Sequence, residues 1–363
     1  MTSSNVVPNQ KPRGVHLVGS ICGATTASSA FTTALAAFPS RLRRLPDGEP
    51  AHRSTFIGWQ TATFAHTPAL LRAYDAAWNP LPQPPVPPAE ARRIVASMPP
   101  LAPGYDAAAL ESWAAFKGLK RSGAIPPRAR FQVCLPTPFC VTCLVRPGFQ
   151  TLVERVYEDA LLGCLRRIEA AVPGGELAVQ WDVAAEPMTL EGAYWPHFEP
   201  YFVGEGAKAG GDEVFEGLVG RISRLVGAVG EGVEVGMHVC YGDMGHKHFV
   251  EPKDMGLMAR IVEGVVERAG RRLDWVHLPV PKARDDEAYF EPLKSLELGE
   301  TELYLGLVHA HDQDGTERRL KVAQNVLGSR TFGVATECGL GRTPTEDFAS
   351  IAEISCEVSA PVV

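Results

Sequence analysis

From residue 130 onward, short apolar runs alternate with longer stretches in which apolar positions recur every three or four residues. "RFQVCLPTP" (130–138) is strand-like, and in "TLVERVYEDALLGCLRRIEAA" (151–171) Val153, Tyr157, Leu161, Leu165 and Ile168 share one helical face. "ELAVQWDV" (176–183), "VEVGMHVC" (233–240), "LDWVHLPV" (273–280), "ELYLGLVH" (302–309) and "TFGVATEC" (331–338) predict further strands. Helical patterns fall between them, over about 212–228, 253–269 and 315–327. Ahead of this region, "GVHLVGS" (14–20) predicts a buried strand and 28–38 a helix. "RLRRLPDGEPAHR" (41–53) predicts a charged loop, and helical patterns follow over about 54–76. "NPLPQPPVPP" (79–88) can be neither helix nor central strand, and another helix leads up to residue 123.

Apolar strands alternating with amphipathic helices imply a parallel sheet covered by helices. Seven strands are counted, with an eighth expected within 40–125, which favours a (β/α)8 TIM barrel with surface insertions. On this reading residues 14–363 form one domain, and the polar stretch 1–13, which has no apolar core of a signal peptide, is a disordered leader. Ser20, Asp182, His238, Cys240, His277, His309 and Cys338 all fall at the C-terminal ends of predicted strands, where a barrel places its active site.

The 363 residues are 45% hydrophobic and 21% charged, an ordinary globular balance, and the net charge of −7 argues against a nucleic-acid partner. No apolar run reaches the length of a membrane span. Eight cysteines in a long chain without a signal peptide are expected to be reduced thiols or ligands in a cytoplasmic enzyme.

Side chains at i and i+2 of a strand share a face, so His238 and Cys240 are placed to grip one ion, with Cys338 as a third ligand from another strand end. Imidazole and thiolates suit Zn²⁺, and three protein ligands leave a position open for substrate. The competing interpretation is three packed core residues. The Cys140/Cys143 pair has no second pair to complete a zinc site, and it is expected in a proline-flanked loop.

"MHVCYGD" (237–243) resembles the H-x-C-Y motif of cobalamin-independent methionine synthase, and "ATECGLGR" (335–342) resembles that family's late C-G-L motif. "VQWDVAAEP" (179–187) is similar to its Q-x-D-E-P-A segment and "HLVGSICGAT" (16–25) to its I-G-S-F-P-Q-T opening. The resemblance covers the catalytic barrel and points to a single-barrel branch of the superfamily shared with uroporphyrinogen decarboxylase. It implies a catalytic Zn²⁺ on His238, Cys240 and Cys338, and transfer of an alkyl group from a donor to a small-molecule thiol. Where the family has a glutamate as fourth ligand this chain offers His277, as ligand, acid/base or pocket wall. The resemblance further implies that Asp182 and Glu186 hold an amino group of the thiol, that Ser20 contacts a substrate carboxylate, and that His309 or His311 protonates the leaving group. Two other functions stay open. One is a decarboxylase or other C–C bond enzyme using Arg41, Arg43 and Arg44. The other is a non-catalytic zinc protein whose coordination His277 closes.

Overall fold

The computed structural model describes residues 10–362 apart from 77–78, 194–198, 205–206, 245–246 and 249. Among the described residues there are nine strands: β1 (Arg44–Pro46), β2 (Arg130–Pro136), β3 (Leu177–Val183), β4 (Glu234–Val239), β5 (Asp243–Met244), β6 (Lys247–His248), β7 (Trp275–Pro279), β8 (Glu302–Gly306) and β9 (Gly333–Val334). Seven form one all-parallel sheet in the order β1-β2-β3-β4-β7-β8-β9, while β5 and β6 form a small antiparallel hairpin. The sheet is curled: Val15 makes parallel bridges both to Leu42, just before β1, and to Val334 in β9. The helices are α1 (Ala27–Ala37), α2 (Pro88–Ala96), α3 (Tyr105–Arg121), α4 (Pro138–Val141), α5 (Gln150–Ala171), α6 (Ala185–Leu190), α7 (Asp212–Gly227), α8 (Gly256–Arg268), α9 (Glu287–Phe290), α10 (Gln313–Leu327) and α11 (Thr345–Val358).

The strand and helix pattern expected after residue 130 is present, and β1 falls within 40–125, where an eighth strand is expected. The strand expected over 14–20 is instead only isolated bridges at Val15 and Ser20, and four further corrections follow. First, the predicted charged loop 41–53 contains β1, whose three residues carry Arg44 and end on Pro46. Second, the helical pattern over 54–76 is realised as short 3-10 turns, at Ala51–Thr55, Gly58–Phe64 and Pro68–Leu70. Third, the run 331–338 keeps only Gly333–Val334 as strand, and the chain then turns off the sheet. Fourth, Cys140 and Cys143 lie not in a loop but in α4 and the 3-10 turn after it, with Thr137 capping α4 and Pro138 opening it. Residues 1–9 of the expected leader lie outside the described residues, and Arg13 already bridges to Ala360.

Two different environments line the sheet. One large apolar core joins strand residues such as Phe131, Val179, Trp181, Val235 and Val276 to the helices. The concave side instead holds polar side chains around a small separate cluster of Ala178, Trp275 and Tyr304. There Arg44 donates to Glu234 at 2.7 Å and to Glu302 at 2.8 Å, and its guanidinium lies 4.1 Å from the Trp275 ring centre. These charges occupy the N-terminal ends of the strands and pair with one another, as buried charges must. Higher up, Gln180 Oε1 accepts from His16 Nε2 at 2.8 Å and Gln180 Nε2 donates to Asp182 Oδ1 at 2.8 Å. Gly236 is obligatory in this layer, because a Cβ there would lie 2.1 Å from the Trp275 ring.

Candidate metal centre

Strand register brings the predicted site residues together. Asp182 of β3 is in register with His238 of β4, and His238 with His277 of β7. Cys240 prolongs the same edge, its N–H donating to Val183 O at 2.8 Å, and it shares the face of His238 two residues earlier. Cys338 arrives from the segment that leaves β9. That segment is pinned by Leu340 N–H donating to Ser20 O at 2.8 Å, and by Gly341 N–H donating to Ser20 Oγ at 3.1 Å. A Cβ at Gly339 or Gly341 would lie 2.5 or 2.7 Å from Ser20, so the small residues after Cys338 are what allow this close approach.

The outcome is a compact donor set: the candidate ligand atoms of His238, Cys240 and Cys338 all lie within 4.8 Å of one another. None of the eight cysteines is in a disulfide, and Cys240 Sγ accepts from the Gly242 N–H at 3.3 Å. The chemistry of the set fits Zn²⁺. His238 Nδ1 lies 2.7 Å from His277 Nδ1, while its Nε2 is buried with no hydrogen-bond partner among the described residues. A buried nitrogen in that condition costs stability unless something binds it, and a cation beside two thiols would do so. Burial also holds His238 well below the usual histidine range, which keeps a lone pair on the ring at neutral pH.

Beside this set is a carboxyl pair, one member of which the sequence reading missed. Asp182 is pushed up by burial and by the neighbouring Glu49. Glu49 itself is half-buried and pushed up to about 7 by burial and by Asp47. Its carboxylate stands over Gly19, where a Cβ would lie 3.3 Å from Oε2 and 3.5 Å from Cys134 Sγ. The turn bearing Glu49 is held by Asp47, which accepts from Arg53 at 2.6 Å, from Ser112 at 2.7 Å and from the Glu49 N–H at 3.0 Å. Glu49 and Ala51 take positive φ values of 48° and 60°, a strained path that this network supports. The signal for Glu49 was the acidic pair in "LPDGEP", but it carries meaning only once β1 is placed directly before it.

A third group of side chains centres on Glu337. The sheet ends at Val334, so strict alternation no longer governs its direction, and its carboxylate sits between two histidines. His309 Nδ1 is 3.6 Å from Glu337 Oε2, and His248 Nε2 is 3.4 Å from Oε1. His309 Nε2 donates to Val280 O at 2.9 Å, and burial lowers its pKa against the pull of Glu337. His248, from the β5–β6 hairpin, is raised to about 9, chiefly by the adjacent Glu337 carboxylate.

His311, Glu186 and Ser20 make the following contacts. His311 is exposed and bonds Asp347 at 2.8 Å. Glu186 is buried under α4, where it accepts from Cys140 Sγ at 3.5 Å. Ser20 uses its hydroxyl on the Cys338 segment and bridges to Gly48, next to Glu49. A cavity of about 690 Å³ opens at the other end of the sheet, lined by Arg13, Arg43, Glu302 and Tyr304 among others. It brings together charged side chains of both signs, among them Arg13, Arg43, Lys294, Glu300 and Glu302. Arg43 and Arg44 are committed there to Glu302 and Glu234, and Arg41 bonds the carbonyl of Cys356 near the C-terminus.

Among the described residues, no helix is long and apolar enough to cross a membrane. No protein-family model and no curated protein sequence matches the chain. Solved structures do. A chain from Listeria monocytogenes assigned as a vitamin-B12-independent methionine synthase superposes with a TM-score of 0.51 at 13% identity, over 95% of this chain and 96% of that one. A B12-independent methionine synthase from a Shewanella species, in complex with selenomethionine, gives 0.51 at 13% identity over 96% and 97%. At that identity the fold is what the three chains share.

Proposed function

We propose that this chain is a zinc-dependent alkyltransferase that moves an alkyl group, of which methyl is the simplest, from a donor onto the sulfur of a small amino thiol. The observation that carries the reading is the convergence of His238, Cys240 and Cys338 within 4.8 Å from two separated segments of chain. The bridges of Val15 to both sides of the sheet support a closed (β/α)8 barrel with this cluster at its C-terminal mouth. His238, Cys240 and Cys338 would hold the ion; a bound Zn²⁺ supplies an open coordination position that keeps a substrate sulfur deprotonated at neutral pH.

The protein's own groups do the rest. Asp182, whose neighbours include Cys338 and Glu49, and Glu49 itself would offer two carboxylates to an ammonium group and so orient the thiol toward the cluster. The thiol releases its proton to solvent on binding; in the transfer its sulfur lone pair forms the carbon–sulfur bond as the donor's carbon–leaving-group bond breaks, the bonding pair departing with the leaving group. His309 hands a proton to the departing group, with Glu337 beside it supporting the protonated ring.

The test is product formation. Zinc-loaded protein is incubated with homocysteine, cysteine or cysteamine, with 3-mercaptopropionate as the amine-free control, and with methyl-folate, sulfonium or epoxide donors. Thioether products are read by mass spectrometry. Thioether formation that disappears on chelation and returns with Zn²⁺ is the expected result, with amino thiols preferred. Equal turnover before and after metal removal would contradict the proposal.

A further inference from the structure

His277 lies where the fourth ligand was sought, yet both of its ring nitrogens are already engaged. Nε2 is 3.0 Å from Thr336 O, and Nδ1 is 2.7 Å from His238 Nδ1. A carbonyl oxygen only accepts, so the proton in the first contact belongs to His277 Nε2. A neutral imidazole carries a single N–H, so Nδ1 of His277 presents a lone pair. The short Nδ1–Nδ1 contact then needs its one proton on His238. With Nδ1 protonated, His238 keeps a bare lone pair on Nε2, the buried atom that has no partner among the described residues.

From this chain of donors and acceptors we infer that His277 is a positioning residue for the metal centre. It locks His238 in the tautomer whose Nε2 can ligate, and it ties that ligand to the segment bearing Cys338. The second tie runs through Thr336, whose carbonyl holds His277 and whose hydroxyl donates to Cys338 O at 2.8 Å. One ring therefore registers a ligand on β4 against a ligand beyond β9. Room for the bridge comes from Gly306 at the end of β8. A Cβ there would lie 3.0 Å from His277 Nε2 and 2.7 Å from Thr336 O. Neutral rings are required, and the surroundings favour them: His277, the His238 ring at 4.8 Å and the His16 ring at 5.8 Å are all buried, where an uncharged imidazole is preferred. Partners of this kind fix the orientation of ligating histidines, and their loss typically costs about 10- to 100-fold in metal affinity.

The inference rests on the zinc reading for its purpose, but its test does not depend on bound metal. In metal-free protein labelled with ¹⁵N-histidine, long-range ¹H–¹⁵N correlation reports which nitrogen of each ring carries the proton. The expected result is Nδ1–H for His238 and Nε2–H for His277. The reverse assignment, or a doubly protonated His277, overturns the inference whether or not zinc binds. In parallel, zinc affinity is measured by chelator competition. His277→Phe keeps the ring without its nitrogens and is expected to weaken binding about 10- to 100-fold, with partial recovery in His277→Gln, whose amide can both accept and donate. Unchanged affinity in His277→Phe would also overturn it. If that variant does not fold, the tautomer measurement on the native chain still decides. Failure of the native chain to bind zinc at all, with the tautomers as expected, would count against the proposed function rather than the hydrogen-bond assignment.

Discussion

Replacing Cys240 and Cys338 together by serine is expected to abolish stoichiometric zinc binding while leaving the chain folded. The two sulfurs supply the soft half of the donor set, and serine hydroxyls neither deprotonate at neutral pH nor match the affinity of thiolates for zinc. Complete sets of four ligands are worth ~10–16 kcal/mol. Two thiolates therefore carry roughly 6 kcal/mol, a loss on the order of 10⁴-fold in affinity. Neither position belongs to the large apolar core, and serine is close to cysteine in size. Thermal unfolding of the metal-free variant should accordingly track that of the metal-free parent. Chelator competition and elemental analysis read the first effect, calorimetry the second. Zinc retained at one per chain in the double variant would place the metal elsewhere.

The second large effect is expected at Glu49. If Glu49 and Asp182 hold an ammonium group, Glu49→Gln should raise Kd for amino thiols roughly 30-fold, the low end for loss of one partner in a part-buried charge pair. Binding of 3-mercaptopropionate, which has no amine, should barely change. The pH dependence follows from the direction of the shift. Glu49 is raised to about 7 by burial and Asp47, so the empty site holds a proton there below neutrality, and the carboxylate form that receives an ammonium grows as pH rises through about 7. Affinity for amino thiols should therefore rise between about pH 6 and 8, and that rise should flatten in Glu49→Gln. Folding stability runs the other way. A carboxyl whose pKa is raised on folding favours the native state fully below its unfolded value, and this contribution is lost as pH rises through about 7. Glu49→Gln should consequently gain stability over the parent at pH 8 when no thiol is present. Isothermal titration across pH and urea unfolding at pH 5 and 8 measure the two.

The parts of this molecule that were legible in the sequence are those where one strong pattern acts alone. After residue 130 the strands are buried by helices, so apolar runs and helical stripes alternate cleanly and give both elements and order. The H-x-C spacing at His238 and Cys240 was visible because i and i+2 on a strand share a face whatever surrounds them. Less legible were places where tertiary contacts override local preference. β1 is three residues long and exposes no apolar periodicity, because its inward position is the ion-paired Arg44. Glu49 gains its setting only from that strand and from Gly19 across the mouth. Glu337 would point away from Cys338 on a regular strand, but β9 stops at Val334 and frees it to meet His309 and His248. The engagement of His277 by Thr336 required Gly306, on a third strand, to leave space. No pairwise spacing encodes that arrangement.

Zinc K-edge X-ray absorption, recorded on the purified protein before and after addition of homocysteine, tests the central claim most directly. About one zinc per chain, with one nitrogen and two sulfurs from protein, is the expected result. One further sulfur at about 2.3 Å should appear when the amino thiol binds. Protein that retains no zinc, or a zinc shell that no thiol alters, would contradict it.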